Sequence, residues 1–275
     1  MSPTLYSFSA HPRHPTLPAK HWQWTAAFRC RDNHFSIRRQ KTVTLKKPIS
    51  ENLDNRSQRT RQALIAAAEQ LFARHGIEGA SLNTITRAAR QSNRNAIQYH
   101  FGGKNGLVQA IFDKHSPKVA QRRADLIDDM AARALPTEAI VATAMVQPLI
   151  EKLDDPDGGE AYIHISAELI TANTLGYQSP EKHHLQLVRE SKIASFTAQQ
   201  LGHLPKAIVE QRILLMNILA YHGVSDHARV RGMAQYQGLS EHTDFMASNL
   251  IDSIMAILST TPSAQTHKLL DSLPR

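Results

Sequence analysis

From Ser57 onward, apolar positions return every three or four residues, the period of one face of an α-helix. Leu64, Ile65, Ala68, Leu71 and Phe72 form an i, i+1, i+4, i+7, i+8 stripe that Gly76 ends. Ser81 suits the N-cap of a second, short helix, because its hydroxyl accepts from an otherwise unpaired first-turn amide; Leu82, Ile85 and Ala89 give that helix one apolar edge. Gln91-Ser92-Asn93 interrupts the period, and Asn93 can cap a third helix. In that third helix, at about 100° per residue, Ala96, Ile97, His100 and Phe101 fall on one side and Arg94, Asn95, Gln98 and Tyr99 on the other. Two short helices joined by a polar turn are the outline of a helix-turn-helix. A cation and two amides on one exposed face are the groups that pair with guanine and adenine edges in a major groove.

The period continues through Leu107, Val108, Ile111 and Phe112, and Pro117 is expected to kink that helix or start a second segment. Further helices are expected near 105–115, 117–134, 137–153, 159–173, 182–201, 205–222 and 242–259. Between them lie breaks rich in proline, glycine and aspartate, and 223–241 reads as a long connection. No stretch shows strand alternation and no internal repeat is detectable, so the fold class is all-α.

Composition adds limits to this picture. With 275 residues, 41% hydrophobic and 20% charged, the chain reads as a soluble globular protein of one or two domains. No apolar run reaches the roughly 18 residues needed to span a bilayer, so no membrane partner is expected. Cys30 is the single cysteine, which leaves no intrachain disulfide or multi-cysteine zinc site and fits a reducing cytoplasm.

Charge changes the picture more. Residues 1–56 hold 10 Lys/Arg against 3 Asp/Glu, residues 57–115 hold 8 against 3, and residues 116–275 hold 14 against 18. A basic front joined to a mildly acidic remainder suits a polyanion-binding module on a soluble core. Residues 1–56 lack sustained periodicity, carry Pro12, Pro15 and Pro18, and lack the apolar core and cleavage site of a secretory signal. Two readings of this basic, disordered-looking extension stand: an arm that touches the minor groove or phosphates, or an upstream addition from a misplaced start codon. His11 and His14 belong to its His/Pro tract rather than to a metal pair.

Three stretches together carry a family resemblance: Arg61 to Gly76, Ser81 to Phe101, and Tyr99-His100-Phe101-Gly102-Gly103-Lys104-Asn105-Gly106-Leu107. They resemble the N-terminal DNA-binding domain of TetR-type transcriptional regulators, in the variant whose turn is a residue longer and whose recognition helix ends in Gln-Tyr-His-Phe-Gly. Arg90 departs from the pattern, standing where the family usually has glycine. A left-handed residue there costs roughly 1–2 kcal/mol more than glycine.

The resemblance implies a three-helix DNA-binding domain at 57–115, an effector-binding and dimerisation domain at 116–262, and a tail at 263–275. It implies a homodimer on a pseudo-palindromic DNA operator, acting as a repressor released by a small-molecule effector, with no cofactor. Arg94, Asn95, Gln98 and Tyr99 are the expected base readers. Ser81, His100 and Lys104 match the family's usual phosphate-contact positions. The last two helices would pair across the two-fold axis through Ile208, Leu215, Leu219, Phe245, Leu250, Ile254 and Ile257, although an ordinary intrachain core explains the same residues. By region, the effector pocket is expected to draw on Met145, Tyr162, His164, Glu168, Arg189 and Met216.

An all-α, metal-dependent enzyme is the alternative. Asp154, Asp155 and Asp157 resemble the aspartate-rich motifs of prenyl-diphosphate enzymes, but proline and two following glycines make a solvated loop the better reading. His164 and Glu168 are four apart on one helix face and could hold a metal, but no second pair accompanies them and a hydrogen-bonded core or pocket histidine is the better reading. Gly102-Gly103-Lys104 lacks both the full Gly-x4-Gly-Lys-Ser/Thr pattern and the preceding strand of a phosphate loop.

Overall fold

The computed structural model describes residues 49–175, 191–231, 233 and 242–272, and every regular element among them is an α-helix. In order these are α1 Ile49–Gly79, α2 Leu82–Ala88, α3 Ala96–Phe101, α4 Lys104–Ala132, α5 Thr137–Leu153, α6 Gly159–Leu175, α7 Ser191–Leu201, α8 Lys206–Val230, α9 Thr243–Ser259 and α10 Ala264–Asp271. The readings of residues 1–48 lie outside the described residues, as does most of 223–241 beyond the end of α8.

The apolar stripe of α1 meets α2, α3 and the start of α4 around Leu64, Phe72, Ile85, Ile97, Leu107 and Ile111, all buried. Gly76 interrupts α1 with a left-handed φ of 75°. That break turns the Ile77 amide toward the next layer, where both Glu168 carboxylate oxygens accept from it at 2.9 and 3.1 Å. The first three helices are thereby tied to α6 by a charge-assisted bond as well as by apolar contact.

The centre of the remaining layers is α5, which packs against α4, α6, α7, α8 and α9. Its sequence explains this position: Ile140, Val141, Ala144, Val146 and Leu149 point in several directions around the axis, and all are buried. A helix that is apolar nearly all round needs neighbours on every side.

Four elements differ from the expected boundaries, and α1 is the first, starting at Ile49 inside the extension read as disordered to residue 56. Pro117 begins no new segment and sits inside the continuous α4, flanked by buried Phe112, His115, Val119 and Arg123. Packing of those side chains offsets the missing N–H of proline. Gly223 is not a break either, and α8 continues to Val230. A Cβ on Gly223 would stand 3.2 Å from the Leu250 side chain, so the glycine lets α9 approach closely. Residues 264–271, expected as tail, form α10, capped by Ser263 Oγ accepting from the Thr266 amide at 3.2 Å. Among the described residues, no helix is long and apolar enough to cross a membrane.

Candidate nucleic-acid interface and cavity

α3 is only six residues long, so its orientation must come from its ends. At the N-terminal end, Asn93 Oδ1 accepts from the Asn95 amide at 2.9 Å, an Asx turn that sets the entry. At the other end Gly102 takes a left-handed φ of 70° and its amide donates to the Gln98 carbonyl. Arg61, reaching from α1, donates to the His100 carbonyl at 2.8 Å and lies 4.5 Å from the centre of the Phe101 ring. Gly106 lets the Phe101 carbonyl rest on the first turn of α4, since a Cβ there would stand 1.8 Å from that oxygen.

Held this way, α3 buries Ala96 and Ile97 and leaves Arg94, Asn95, Gln98 and Tyr99 exposed; Tyr99 is 80% exposed. Beside this face a cleft of about 610 Å³ is lined by Asn83, Thr86, Arg87, Arg90, Gln91, Ser92 and Arg94. Sequence reasoning missed Arg87 as a site residue, and the signal available was its place three and seven residues ahead of Arg90 and Arg94. Ser81 is exposed and spends its hydroxyl on the Thr84 amide at 3.1 Å. Lys104 turns back to α1, donating to the carbonyls of Ile77 at 2.8 Å and Glu78 at 3.4 Å. Two of the three ammonium protons are therefore engaged by the end of α1.

Deeper in the chain, a cavity of about 420 Å³ opens between α4, α5, α6, α7 and α8. Met145, Tyr162 and Met216 line it; His164 and Glu168 do not, and Arg189 lies outside the described residues. Arg123, Ser116 and Tyr221 also line it, none of them anticipated, because only the packing of α4 on α6 and α8 faces them inward. Burial pushes the Tyr162 phenol above its ordinary range, so it stays a neutral donor.

A polar cluster sits between this cavity and α1. Tyr162 packs its ring 5.0 Å from that of His115, and its hydroxyl lies 3.3 Å from Ser116 Oγ. His115 Nε2 lies 2.8 Å from Glu69 Oε1, with both side chains buried. Lys114 reaches Glu69 at 3.1 Å and Asp157 at 2.8 Å. Burial works against its charge, but Asp157 and Glu69 outweigh that and hold the ammonium above the usual lysine range.

Against known proteins, residues 64–111 match the family model described as bacterial regulatory proteins, tetR family. The head is similar over these residues to the N-terminal domain of that family. The transcriptional repressors AcnR of Corynebacterium glutamicum and Corynebacterium efficiens are each 36% identical over 62 residues. That stretch is 22% of this chain and 32% of each relative, so the match spans about a third of their length. A TetR-family regulator from Streptomyces coelicolor is similar in structure at a TM-score of 0.38 and 17% identity, over 74% of this chain and 96% of that one.

Within the tetR-type head, Arg90 does take a left-handed conformation, with φ 54°. Arg90→Gly relieves that strain but adds glycine's extra unfolded-state freedom, for an expected net gain of about 0.5–1 kcal/mol. Urea unfolding of both proteins checks this; a midpoint that stays put or falls would show the turn is unstrained.

The residues of the enzyme alternative are dispersed to separate partners. Asp154 pairs with Arg231, Asp155 with Lys152, and Asp157 with Lys114. His164 bonds Ser225 Oγ at 2.8 Å, while Glu168 binds the Ile77 amide, so the two do not converge. Burial, then Arg229, pushes the His164 imidazole below its ordinary range, consistent with a neutral hydrogen-bonded role. Among the described residues, no group of three or more His, Cys, Asp or Glu could hold a metal ion.

Proposed function

We propose that this chain is a DNA-binding transcriptional regulator of the TetR type, working in the cytoplasm as a homodimeric repressor that a small molecule releases from its operator. The observation that carries the reading is the exposed surface made by Arg94 and Asn95 at the entry to α3 and by Gln98 and Tyr99 on α3, whose other face is locked into the head. Arg and Asn or Gln offer bidentate pairing to guanine and adenine, and Tyr99 offers a ring for a thymine methyl or a sugar. Ser81, His100, Arg87 and Arg90 flank that face and supply phosphate contacts; Lys104 joins them through its remaining proton.

One six-residue helix buries too little to be specific alone, which favours two half-sites read by a dimer. Of the seam expected from sequence, Ile208, Leu250 and Ile254 are buried within the chain. Leu215 and Phe245 remain 52% and 55% exposed on α8 and α9, joined by Leu214 at 38%. These three form the dimer contact in this reading. The head spans 57–115 and the body 116–262, and α4 belongs to both. A ligand that displaces Tyr162 or Ser116 acts on α4 beside His115 and Glu69, and so on the angle of the head.

The test is a footprint on the DNA flanking the gene for this chain. Protection of two inverted half-sites, spaced by about 10 base pairs or a multiple, is expected. Protection of one isolated patch, or equal protection of random DNA, would remove the dimeric-operator reading.

A further inference from the structure

Two backbone bonds close α2 and turn the chain toward α3. The Arg90 amide donates to the Arg87 carbonyl at 3.0 Å, and the Gln91 amide donates to the Thr86 carbonyl at 3.0 Å. This is the Schellman arrangement, and it places Arg90, at φ 54°, in the left-handed position where glycine serves best. A side chain there is strained whatever its chemistry. Strain alone assigns no role, however, because Ala134, at φ 55°, closes α4 with the same pair of bonds, to Ala131 and from Leu135 to Met130. The surroundings of Arg90 decide its role.

Those surroundings are the cleft beside α3, whose lining contains three arginines, Arg87, Arg90 and Arg94, and neither a carboxylate nor an apolar residue. All three arginines are exposed, and among the described residues none is in an ion pair. Three like charges around one cleft repel one another and gain from a shared anion. Thr86 commits its hydroxyl proton to the Leu82 carbonyl, and Gln91 commits an amide proton to the Ala89 carbonyl. Asn83 and Ser92 remain as small neutral donors beside the guanidiniums. An all-polar, cationic, open lining matches a solvated anion with several acceptor oxygens, as a phosphate diester is. Arg94 makes the cleft continuous with the exposed surface at the entry to α3.

We propose that Arg90 is a phosphate ligand: a backbone phosphate of duplex DNA seats in this cleft against its guanidinium, Arg87 and Arg94 add to the field, and the turn gives up stability for the contact. The assignment rests on the DNA-binding reading above.

The experiment follows the full chain on a random-sequence duplex by fluorescence anisotropy across a salt series. Arg90→Gln and Arg90→Gly should each flatten the slope of log K against log salt by about 0.9 for every head engaged, about eightfold in affinity at about 0.1 M salt. Arg90→Lys should keep the slope. In urea, Arg90→Gly should raise the unfolding midpoint, so that stability and affinity move in opposite directions. Ala134→Gly relieves the same strain outside the cleft, and it should raise the midpoint while leaving the slope alone. Inorganic phosphate at matched ionic strength should not displace the duplex.

A slope that Arg90→Gln leaves unchanged would make Arg90 a complement to the C-terminal end of α2 and overturn the assignment. So would a slope that Arg90→Gly flattens and Arg90→Gln does not, since geometry rather than charge would then be at work. An Arg90→Gly midpoint that fails to rise, or an equal flattening by Ala134→Gly, would overturn it as well. Displacement of the duplex by inorganic phosphate that Arg90→Gln abolishes would give the seat to the free ion instead. The reading beneath fails in a different way. A native chain that does not bind duplex at low salt removes both, whereas one that binds with a slope indifferent to Arg90 removes this assignment alone.

Discussion

Glu69→Ala is expected to lower the free energy of unfolding by about 1–3 kcal/mol, because it leaves the buried ring nitrogen of His115 without a partner. Glu69 is 2% exposed on the helix that forms the spine of the head. Its oxygens take His115 at 2.8 Å and Lys114 at 3.1 Å. The loop before α6 closes over the same carboxylate, since a Cβ on Gly158, at φ 84°, would stand 2.3 Å from Oε2. Without Glu69, Lys114 keeps the largely exposed Asp157, but the ring nitrogen of His115 is left buried with no acceptor or donor opposite it. Glu69→Leu combined with His115→Leu should cost less than Glu69→Ala alone, as replacing a whole buried polar pair by apolar side chains often does. Urea unfolding followed by helical circular dichroism measures both. A loss under about 1 kcal/mol for Glu69→Ala would place the pair with solvated surface bridges instead.

Gln98→Ala is expected to cost about 1–3 kcal/mol per half-site in operator affinity, roughly 2–6 for a dimer, while binding to random DNA hardly changes. The side chain of Gln98 is exposed, and its structural work is done by its carbonyl, which caps Gly102 through the backbone at 3.0 Å. Alanine keeps that bond and favours the helix, so the fold should be unharmed. Fluorescence anisotropy on operator and scrambled duplexes at one salt concentration is the measurement. Equal losses on both would move Gln98 from base reading to phosphate contact, and no loss would take it out of the interface.

Both predictions show where periodicity is informative. A 100° step put Ala96 and Ile97 on the buried side of α3 and Gln98 and Tyr99 on the exposed side, as the structure has them, whereas Arg94 and Asn95, also exposed, lie in the turn before the helix. The all-α class, the helix-turn-helix and the cap at Ser81 came from the same local rules, which act over one to four residues. Residue type misled wherever the deciding partner was distant in sequence. Gly223 looks like a helix break until Leu250 of α9 is placed against it. His164 reads as a hydrogen-bonded histidine rather than a metal ligand, but its partner Ser225, brought by α8, and the Ile77 amide that α1 brings to Glu168 are set by packing. Lys104 reads as a free ammonium until the end of α1 presents two carbonyls to it, which leaves one proton for any other partner. Glu69, to which the sequence assigned no role, is buried because α4 supplies His115 and Lys114 from 46 and 45 residues away. Arg123 carries no sequence signal at all; it lines a cavity only because five helices close around it. Helical faces are set by the bonds of a single turn, but the protonic and ionic partners of a side chain are set by whichever helix packs opposite, and that choice belongs to the tertiary fold.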